Sequence, residues 1–413
     1  MREPFPALSA RGWILNLGGA TGLAASASVF TLVASALILR VLPLAEAGQY
    51  AFLTAFVPWL AIIGGLGQSG LVLRQYSMLP PGQPDWQSDL AQTILVCSPV
   101  IALAIGVAAW IYHLPGLSFA FVATSVPLVI ASQVASSQLD SHRQFVWGSL
   151  FIRLPSALMV LPAGLALLSP AWSNLRAMLL SQVGALGLTL ALATLVLVAR
   201  MPRGRARLTL AERRHGVPLG ILAATHQLID QGLLAIAAIV LAPESIAAYA
   251  ALALFIRPVF LLHSVVLRML VVETSRDPVR RRERLLLAVW VAAVIITLLL
   301  IAILPPVSHI VYAGRYDSDA ALALPIALTA GLLLTELFPR SYLTGPAPRR
   351  QITLFAACQA AITGAGIALI LVLARWWGVQ GVAWAGATIA MLRNIVAYPI
   401  YSWARRGAVP TSS

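Results

Sequence analysis

The sequence contains no lysine and few charged residues of any kind. All 28 of its cationic residues are arginines, and only 10% of the chain is charged, whereas a soluble domain has roughly a quarter. Hydrophobic residues account for 60% of the 413 residues, and the mean hydropathy is +0.87. This composition excludes a large soluble domain and predicts an integral membrane protein.

Cysteine is also scarce, with two residues in the whole chain. Cys97 and Cys358 both lie inside apolar segments, and neither has a histidine or cysteine neighbour at metal-ligand spacing. We therefore expect no disulfide, no metal site and no bound cofactor.

Acidic residues are half as numerous as basic ones, 14 against 28, which gives a formal charge of +14. A basic excess is often the electrostatic footprint of nucleic-acid binding. Here the arginines cluster in short breaks between apolar runs, where an excess of cations fixes the orientation of a membrane protein. We therefore predict no nucleic-acid partner.

Apolar segments of about twenty residues, the length needed to cross the hydrocarbon core of a bilayer, follow one another along the chain. Twelve are predicted, at 17–39, 50–73, 90–112, 118–138, 145–168, 175–198, 217–241, 246–272, 285–307, 320–344, 352–374 and 379–403. They predict an all-α integral membrane protein whose membrane-spanning part is nearly the whole chain.

Arginine clusters predict the orientation of these helices, because cations are retained on the cytoplasmic side. The connections on one side hold Arg143, six arginines at 200–214, five at 276–284 and two at 349–350, and the opposite connections hold single ones. Both termini are therefore expected in the cytoplasm. The longest polar break divides the chain in two. The predicted parts are a six-helix lobe at 1–200, a basic cytoplasmic linker at 201–216, a second six-helix lobe at 217–404 and a cytoplasmic tail at 405–413.

The two predicted lobes share a sequence echo. Residues 43–56 read PLAEAGQYAFLTAF, and residues 243–255 read PESIAAYAALALF. One offset aligns Tyr50 with Tyr249 and also Phe56 with Phe255. Such an echo, at the turn between the first and second helix of each half, is expected of a duplicated helical bundle. Chance similarity between two alanine-rich segments is the alternative.

Residues 37–74 carry a resemblance to a known family. They read LILRVLPLAEAGQYAFLTAFVPWLAIIGGLGQSGLVLR, with a Gly-x-Tyr turn at 48–50 and a glycine-rich helix end at 64–67. Two later stretches, AGRYDSDAALALPIAL from Ala313 and WGVQGVAWAGATIA from Trp377, match the same pattern. Together they resemble the oligosaccharide flippase (polysaccharide biosynthesis protein) family of the multidrug/oligosaccharidyl-lipid/polysaccharide exporter superfamily.

This resemblance implies two six-helix lobes, related by a pseudo-two-fold axis, around a central cavity that opens alternately to each side. It also implies a transporter and not an enzyme. The implied cargo is an oligosaccharide on a polyprenyl pyrophosphate, moved across the bacterial inner membrane for surface polysaccharide biosynthesis. The implied partners are this lipid-linked oligosaccharide, membrane lipids and polysaccharide polymerase or assembly proteins.

Arg257, Arg153 and Arg393 are the predicted substrate-binding residues, because ionisable groups inside membrane spans are costly enough to indicate function. Arg257 lies mid-span beside Pro258, which favours a kink, and the arginine fork suits a phosphate. Arg153 and Arg393 lie nearer the cytoplasmic surface. The alternatives are an ion pair between Arg257 and Asp230, and snorkelling of the other two arginines to the surface.

Asp230, His226 and Gln227 are the predicted ion-coupling residues. They belong to a polar stripe, THQLIDQG, in the middle of the seventh span. A carboxylate beside a histidine suits proton or sodium coupling, because its environment can bring either group to titrate near neutral pH. The alternative is that Asp230 only balances a buried arginine.

Glu336 is expected to pair with Arg340, one helical turn later.

Two other functions stay open from the sequence. The first is a cation-coupled small-molecule or multidrug exporter of the same superfamily, although arginines in the second half disfavour a cationic cargo. The second is a membrane polysaccharide polymerase or ligase. Such an enzyme is expected to carry a large extracytoplasmic loop, whereas every predicted outward loop is short.

Overall fold

The computed structural model describes residues 10–77, 85–201, 204, 208–276, 282–315 and 321–408, which are almost entirely helical and contain no β-strand. The α-helices are α1 (Ala10–Val41), α2 (Leu44–Gly64), α3 (Gln68–Tyr76), α4 (Trp86–Tyr112), α5 (Gly116–Ser141), α6 (Phe145–Leu158), α7 (Val160–Leu168), α8 (Leu175–Arg200), α9 (Leu210–Arg213), α10 (Gly216–Gln227), α11 (Leu233–Ala237), α12 (Pro243–Ala253), α13 (Arg257–Arg276), α14 (Arg282–Tyr312), α15 (Ala323–Thr344) and α16 (Arg349–Ala408). Parts of the predicted linker and tail, at 202–203, 205–207 and 409–413, lie outside the described residues.

The described helices account for the twelve predicted passes. Within the described ranges, nine stretches are long and apolar enough to cross a membrane. The longest of them, within α16, turns sharply at Gly378, whose φ of 59° and ψ of −134° suit glycine alone, so it makes two passes. Helix α1 and the continuous helical segment from α10 to α11 complete the set. The chain is therefore an all-α integral membrane protein, as predicted.

Four of the described passes change their helical geometry partway along, one of them at Met159 between α6 and α7. Gly67, with φ of 69°, starts a new helix after the end of α2. A π-helical turn, Leu228–Gly232, joins α10 to α11. A 3₁₀ turn, Leu254–Ile256, joins α12 to α13 just before Pro258, where the missing N–H removes a helical hydrogen bond. The irregularity expected beside Pro258 is therefore present.

We call α1–α8 the N-terminal lobe and α10–α16 the C-terminal lobe. The end of the molecule at which α8 finishes and α10 begins is called the linker end, and the other is called the opposite end. The sequence boundaries of the predicted domains stay a prediction.

Helices α2 and α12, which contain the two halves of the sequence echo, pack against each other at the opposite end. An added Cβ on Gly48 would lie only 1.9 Å from the carbonyl oxygen of Pro243. Tyr50 and Tyr249, the aligned tyrosines, are both buried. The echo thus marks a surface at which the lobes meet, and glycine at position 48 permits the close approach.

A second correspondence between the lobes appears only in the structure. Helices α4 and α14 end on Tyr112 and Tyr312, and each is followed by a residue with left-handed backbone, His113 with φ of 46° and Ala313 with φ of 50°. The Tyr112 hydroxyl donates to the Ala235 carbonyl at 2.8 Å, across the lobe boundary. The third helix of each half therefore ends in the same way, which supports a duplicated bundle.

Arg213 of the linker is buried in the N-terminal lobe. Its guanidinium forms an ion pair with Asp89 at 2.7 Å and donates to the side chains of Gln68, Thr93 and Gln92. The Arg213 side chain is 2% exposed, and that of Asp89 is fully buried. The linker is thus tied to α3 and α4, although its composition alone suggests a solvated segment.

Gly48→Ala tests the close approach of α2 and α12. We expect it to lower stability by about 1–3 kcal/mol, the usual cost of overpacking, because the backbone of Pro243 cannot rotate away as a side chain can. The measurement is the apparent Tm of the purified protein in detergent. Gly184→Ala is the control, because an added Cβ there meets nothing within 4 Å. Equal Tm values for the two variants would contradict the packing described.

Candidate functional site

A cavity of about 380 Å³ lies between the two lobes. Helices α1, α2, α5, α6 and α8 contribute to its wall from the N-terminal lobe, and α10, α12, α13 and the π-helical turn contribute from the C-terminal lobe. A volume of this size is in the range of small-molecule sites, roughly 300–1,000 Å³. The predicted central cavity is therefore present.

The wall of this cavity is rich in amides and hydroxyls, and its charged groups are cationic. Arg153 and Arg257 line it, and no carboxylate is among the described lining side chains. The other polar lining residues are Thr31, Ser35, Tyr50, Thr54, Ser69, Ser132, Gln133, Ser156, Gln182, His226, Gln227, Gln231 and Ser264. The guanidinium, hydroxyl and amide groups of this wall suit an uncharged polar group or an anion.

The two lining arginines come from different lobes. Arg153 is half-buried in α6, and its guanidinium donates to the Ser264 hydroxyl in α13 of the other lobe. Arg257 is the first residue of α13, directly after the 3₁₀ turn, and is also half-buried. The structure thus brings these two predicted residues to one cavity, and the irregular backbone sets the position of Arg257.

The polar stripe of the seventh span reaches the same cavity. His226 and Gln227 line it, at the end of α10 where the π-helical turn begins. Turns of this type are rare and are frequently found at functional sites. The side chain of Asp230 lies outside the described residues, so its predicted coupling role and the alternative ion pair with Arg257 stay predictions.

His263 is not among the predicted site residues, and its ring stacks on that of His226 with the centroids 4.6 Å apart. It is completely buried, and neither of its ring nitrogens has a hydrogen-bond partner within the described part of the chain. Across the same part of the chain, no three His, Cys, Asp or Glu residues converge as metal ligands do. The parallel rings are unsuited to holding one ion between them.

The structure corrects the predicted position of Arg393. Its side chain is 1% exposed and does not line the cavity, because it is paired with Glu336 at 2.8 Å inside the C-terminal lobe. Its second terminal nitrogen donates to the Thr225 carbonyl at 2.7 Å. Glu336 therefore pairs with Arg393 rather than with Arg340 one turn away, and Arg340 instead donates to the Leu222 carbonyl at 3.0 Å.

At both ends of the cavity the lobes touch. At the linker end, Leu73 and Phe145 of the N-terminal lobe form a buried cluster with Val265, Met269, Val271 and Val272 of α13, which we call the linker-end cluster. At the opposite end, Arg315 donates to the carbonyls of Leu39, Arg40 and Leu42, the last residues of α1 and the one that follows. In this conformation the lobes are therefore in contact at both ends of the molecule.

Comparison with known proteins identifies the fold. No family model matches the chain, and no curated protein matches its sequence. A transporter of the multidrug/oligosaccharidyl-lipid/polysaccharide exporter superfamily from Pyrococcus furiosus, with a binding pocket of reversed polarity, matches at a TM-score of 0.65 and 13% identity, over 96% of this chain and 95% of that one. The lipid II flippase MurJ, in an inward closed conformation, matches at a TM-score of 0.64 and 15% identity. This match covers 91% of this chain and 86% of that one.

An outward-facing multidrug resistance transporter of the same superfamily also matches, at a TM-score of 0.61 and 15% identity over 98% of this chain and 97% of that one. These matches extend over nearly the full length of the chain. They show that it has the fold of this superfamily, with two six-helix lobes around a central cavity.

Glu336→Gln and Arg393→Leu test the buried ion pair. Each is expected to lower stability by about 3–5 kcal/mol, because removing one partner leaves the other charge buried and unpaired. The measurement is the apparent Tm in detergent. The double variant Glu336→Leu/Arg393→Leu should lose less than the sum of the single losses, whereas Arg176→Leu, at an exposed position, should have little effect. Additive losses would contradict the pairing.

Proposed function

We propose that this protein is a transporter that flips a lipid-linked oligosaccharide across the bacterial inner membrane by alternating access. The cargo is a glycan on polyprenyl pyrophosphate, destined for surface polysaccharide biosynthesis. The observation that carries the proposal is the charge of the cavity: two arginines from opposite lobes, with no carboxylate among the described lining residues.

The pyrophosphate of such a cargo needs cationic partners once it leaves water. Arg153 and Arg257 supply two planar guanidinium groups, which suit bidentate contact with phosphate oxygens. The sugar hydroxyls need both donors and acceptors, and side-chain amides supply both. Gln133, Gln182 and Gln231 present such amides in the cavity wall.

Both termini are expected in the cytoplasm, and the linker end is then the cytoplasmic end. The polyprenyl tail stays among membrane lipids while the head group crosses, and a polysaccharide polymerase or another assembly protein receives the glycan. Under this proposal the protein carries out no covalent chemistry and is not an enzyme.

A small-molecule or multidrug exporter is the second candidate, because a multidrug resistance transporter shares the fold. The cavity charge disfavours a cationic drug. Two unit charges about 8 Å apart at an effective dielectric constant of about 20 repel by roughly 2 kcal/mol, and here two arginines contribute.

Arg257→Ala tests the flippase proposal in a bacterium that lacks its own oligosaccharide flippase and carries a matched glycan pathway. Wild type is expected to restore surface polysaccharide, and Arg257→Ala should reduce it at least tenfold because the pyrophosphate loses a cationic partner. Arg176→Ala is the control for an exposed arginine. Membrane levels of all variants are matched by immunoblot.

No rescue with any matched pathway, together with efflux of a cationic dye by the same protein, would overturn the flippase proposal and favour the exporter. Rescue by Arg257→Ala at wild-type level would show that transport does not require the positive charge of Arg257 in the cavity.

Asp230→Asn and His226→Gln test the predicted ion coupling, in which Gln227 contributes a polar ligand. In proteoliposomes, each variant is expected to bind cargo but to lose the acceleration that a proton or sodium gradient gives to wild type. Gln182→Asn, in the cavity wall but outside the seventh span, is the control and should keep the gradient response. A full gradient response in both variants would assign these residues to structure alone.

A further inference from the structure

Arg213 of the linker and Gln68 of α3 bind each other through two hydrogen bonds. Nη1 of Arg213 donates to Oε1 of Gln68 at 3.1 Å, and Nε2 of Gln68 donates to the backbone carbonyl of Arg213 at 3.2 Å. The same guanidinium pairs with Asp89 at 2.7 Å and donates to Thr93 at 3.0 Å. Both the backbone and the side chain of Arg213 are therefore bound to the N-terminal lobe.

Helix α10 of the C-terminal lobe begins three residues after Arg213, at Gly216, and its first turn lies on the start of α3. An added Cβ on Gly67 would be only 2.2 Å from the carbonyl oxygen of Gly216 and 2.2 Å from the amide nitrogen of Gly220. The backbones of the two lobes are thus in direct contact beside the residue that binds the linker.

Farther along, α10 is bonded to its own lobe. Nη2 of Arg340 in α15 donates to the Leu222 carbonyl at 3.0 Å, and Nη1 of Arg393 in α16 donates to the Thr225 carbonyl at 2.7 Å. The start of α10 is therefore fastened to one lobe and its end to the other. Three extended residues span at most roughly 10 Å, so the lobes cannot separate widely at the linker end while all these bonds are in place.

We infer that Arg213 is a latch, whose bonds to Gln68 and Asp89 keep the lobes together at the linker end and break when that end opens. This inference rests on the proposed function for the alternating opening of the two ends. It does not depend on the nature of the cargo, because Arg213, Gln68 and Asp89 do not line the cavity.

The latch is the connection that can break at the lower cost. Arg213 belongs to the linker, outside the predicted apolar spans, so water can solvate its guanidinium once it leaves the N-terminal lobe. Arg340 and Arg393 lie within predicted spans and are buried. Loss of the α10 carbonyls would leave their donors unpaired at membrane depth, which is costly. Opening of the linker end should therefore release Arg213 and leave α10 bonded to the C-terminal lobe.

The test compares two cysteine reporters, one at each end of the molecule. Met269→Cys places a thiol in the linker-end cluster, and Ala247→Cys places one on α12, one turn after Pro243 and on the face that meets α2. The two positions are 1% and 0% exposed. The native thiols are removed by Cys97→Ala and Cys358→Ala. The purified full-length protein in detergent is labelled with a water-soluble thiol reagent, without any cargo.

Both reporters should label slowly while the latch is intact. With Arg213→Gln, Met269→Cys should label at least fivefold faster and Ala247→Cys at an unchanged rate, because only the linker end loses its bonds. Gln68→Leu keeps the ion pair and should accelerate Met269→Cys about twofold. Glu336→Gln is the matched control: it breaks a buried ion pair of similar length, 2.8 Å, inside one lobe, and should change both rates by the same factor.

Equal acceleration of the two reporters by Arg213→Gln and by Gln68→Leu would show that these residues only stabilise the fold. Unchanged labelling of Met269→Cys in both variants would show that other contacts hold the linker end together. Either result would overturn the latch. Because the assay contains no cargo, selective acceleration together with failed complementation would reject the proposed cargo and keep the latch.

Discussion

Each arginine that lies at membrane depth must have an acceptor, and this requirement explains much of the arrangement of the molecule. A guanidinium cannot be deprotonated under ordinary conditions, so burial cannot be relieved by loss of its charge. The structure meets the requirement in different ways: Arg393 has a carboxylate and a carbonyl, and the partners of Arg153 include the hydroxyl of Ser264. The position of Arg153 in the cavity wall therefore makes it available to a ligand, and Arg393 is not.

Irregular backbone is concentrated where the lobes face the cavity. The π-helical turn at Leu228–Gly232 and the 3₁₀ turn at Leu254–Ile256 both interrupt passes that contribute to its wall. Non-helical backbone at membrane depth is tolerated only inside protein or beside a wet cavity. These turns therefore belong with the polar lining, and they set the positions of His226 and Arg257.

Features that depend on local sequence pattern, such as the membrane passes, could be predicted from the sequence. Ion pairs between residues that are distant along the chain could not. Length and hydropathy located the twelve passes, and a charge beside proline located Arg257. The partner of Glu336 was predicted incorrectly because local spacing favours Arg340, whereas Arg393, on the next but one pass, approaches through packing. Arg213 likewise has the composition of a solvated linker, and only the fold brings Asp89 to it. No single-sequence pattern contains these long-range contacts.

The two lobes correspond in sequence but not in their contacts, and this difference is informative about motion. Tyr112 and Tyr312 end equivalent helices, yet the first donates to Ala235 in the other lobe and the second donates to Ala251 in its own lobe. Under the proposed alternating access, opening of the opposite end separates Tyr112 from its partner, whereas Tyr312 keeps its own. Nearer the linker end, Arg153 donates to Ser264 across the lobe boundary. The lobe boundary thus has, towards each end, a polar bond between the lobes beside an apolar contact.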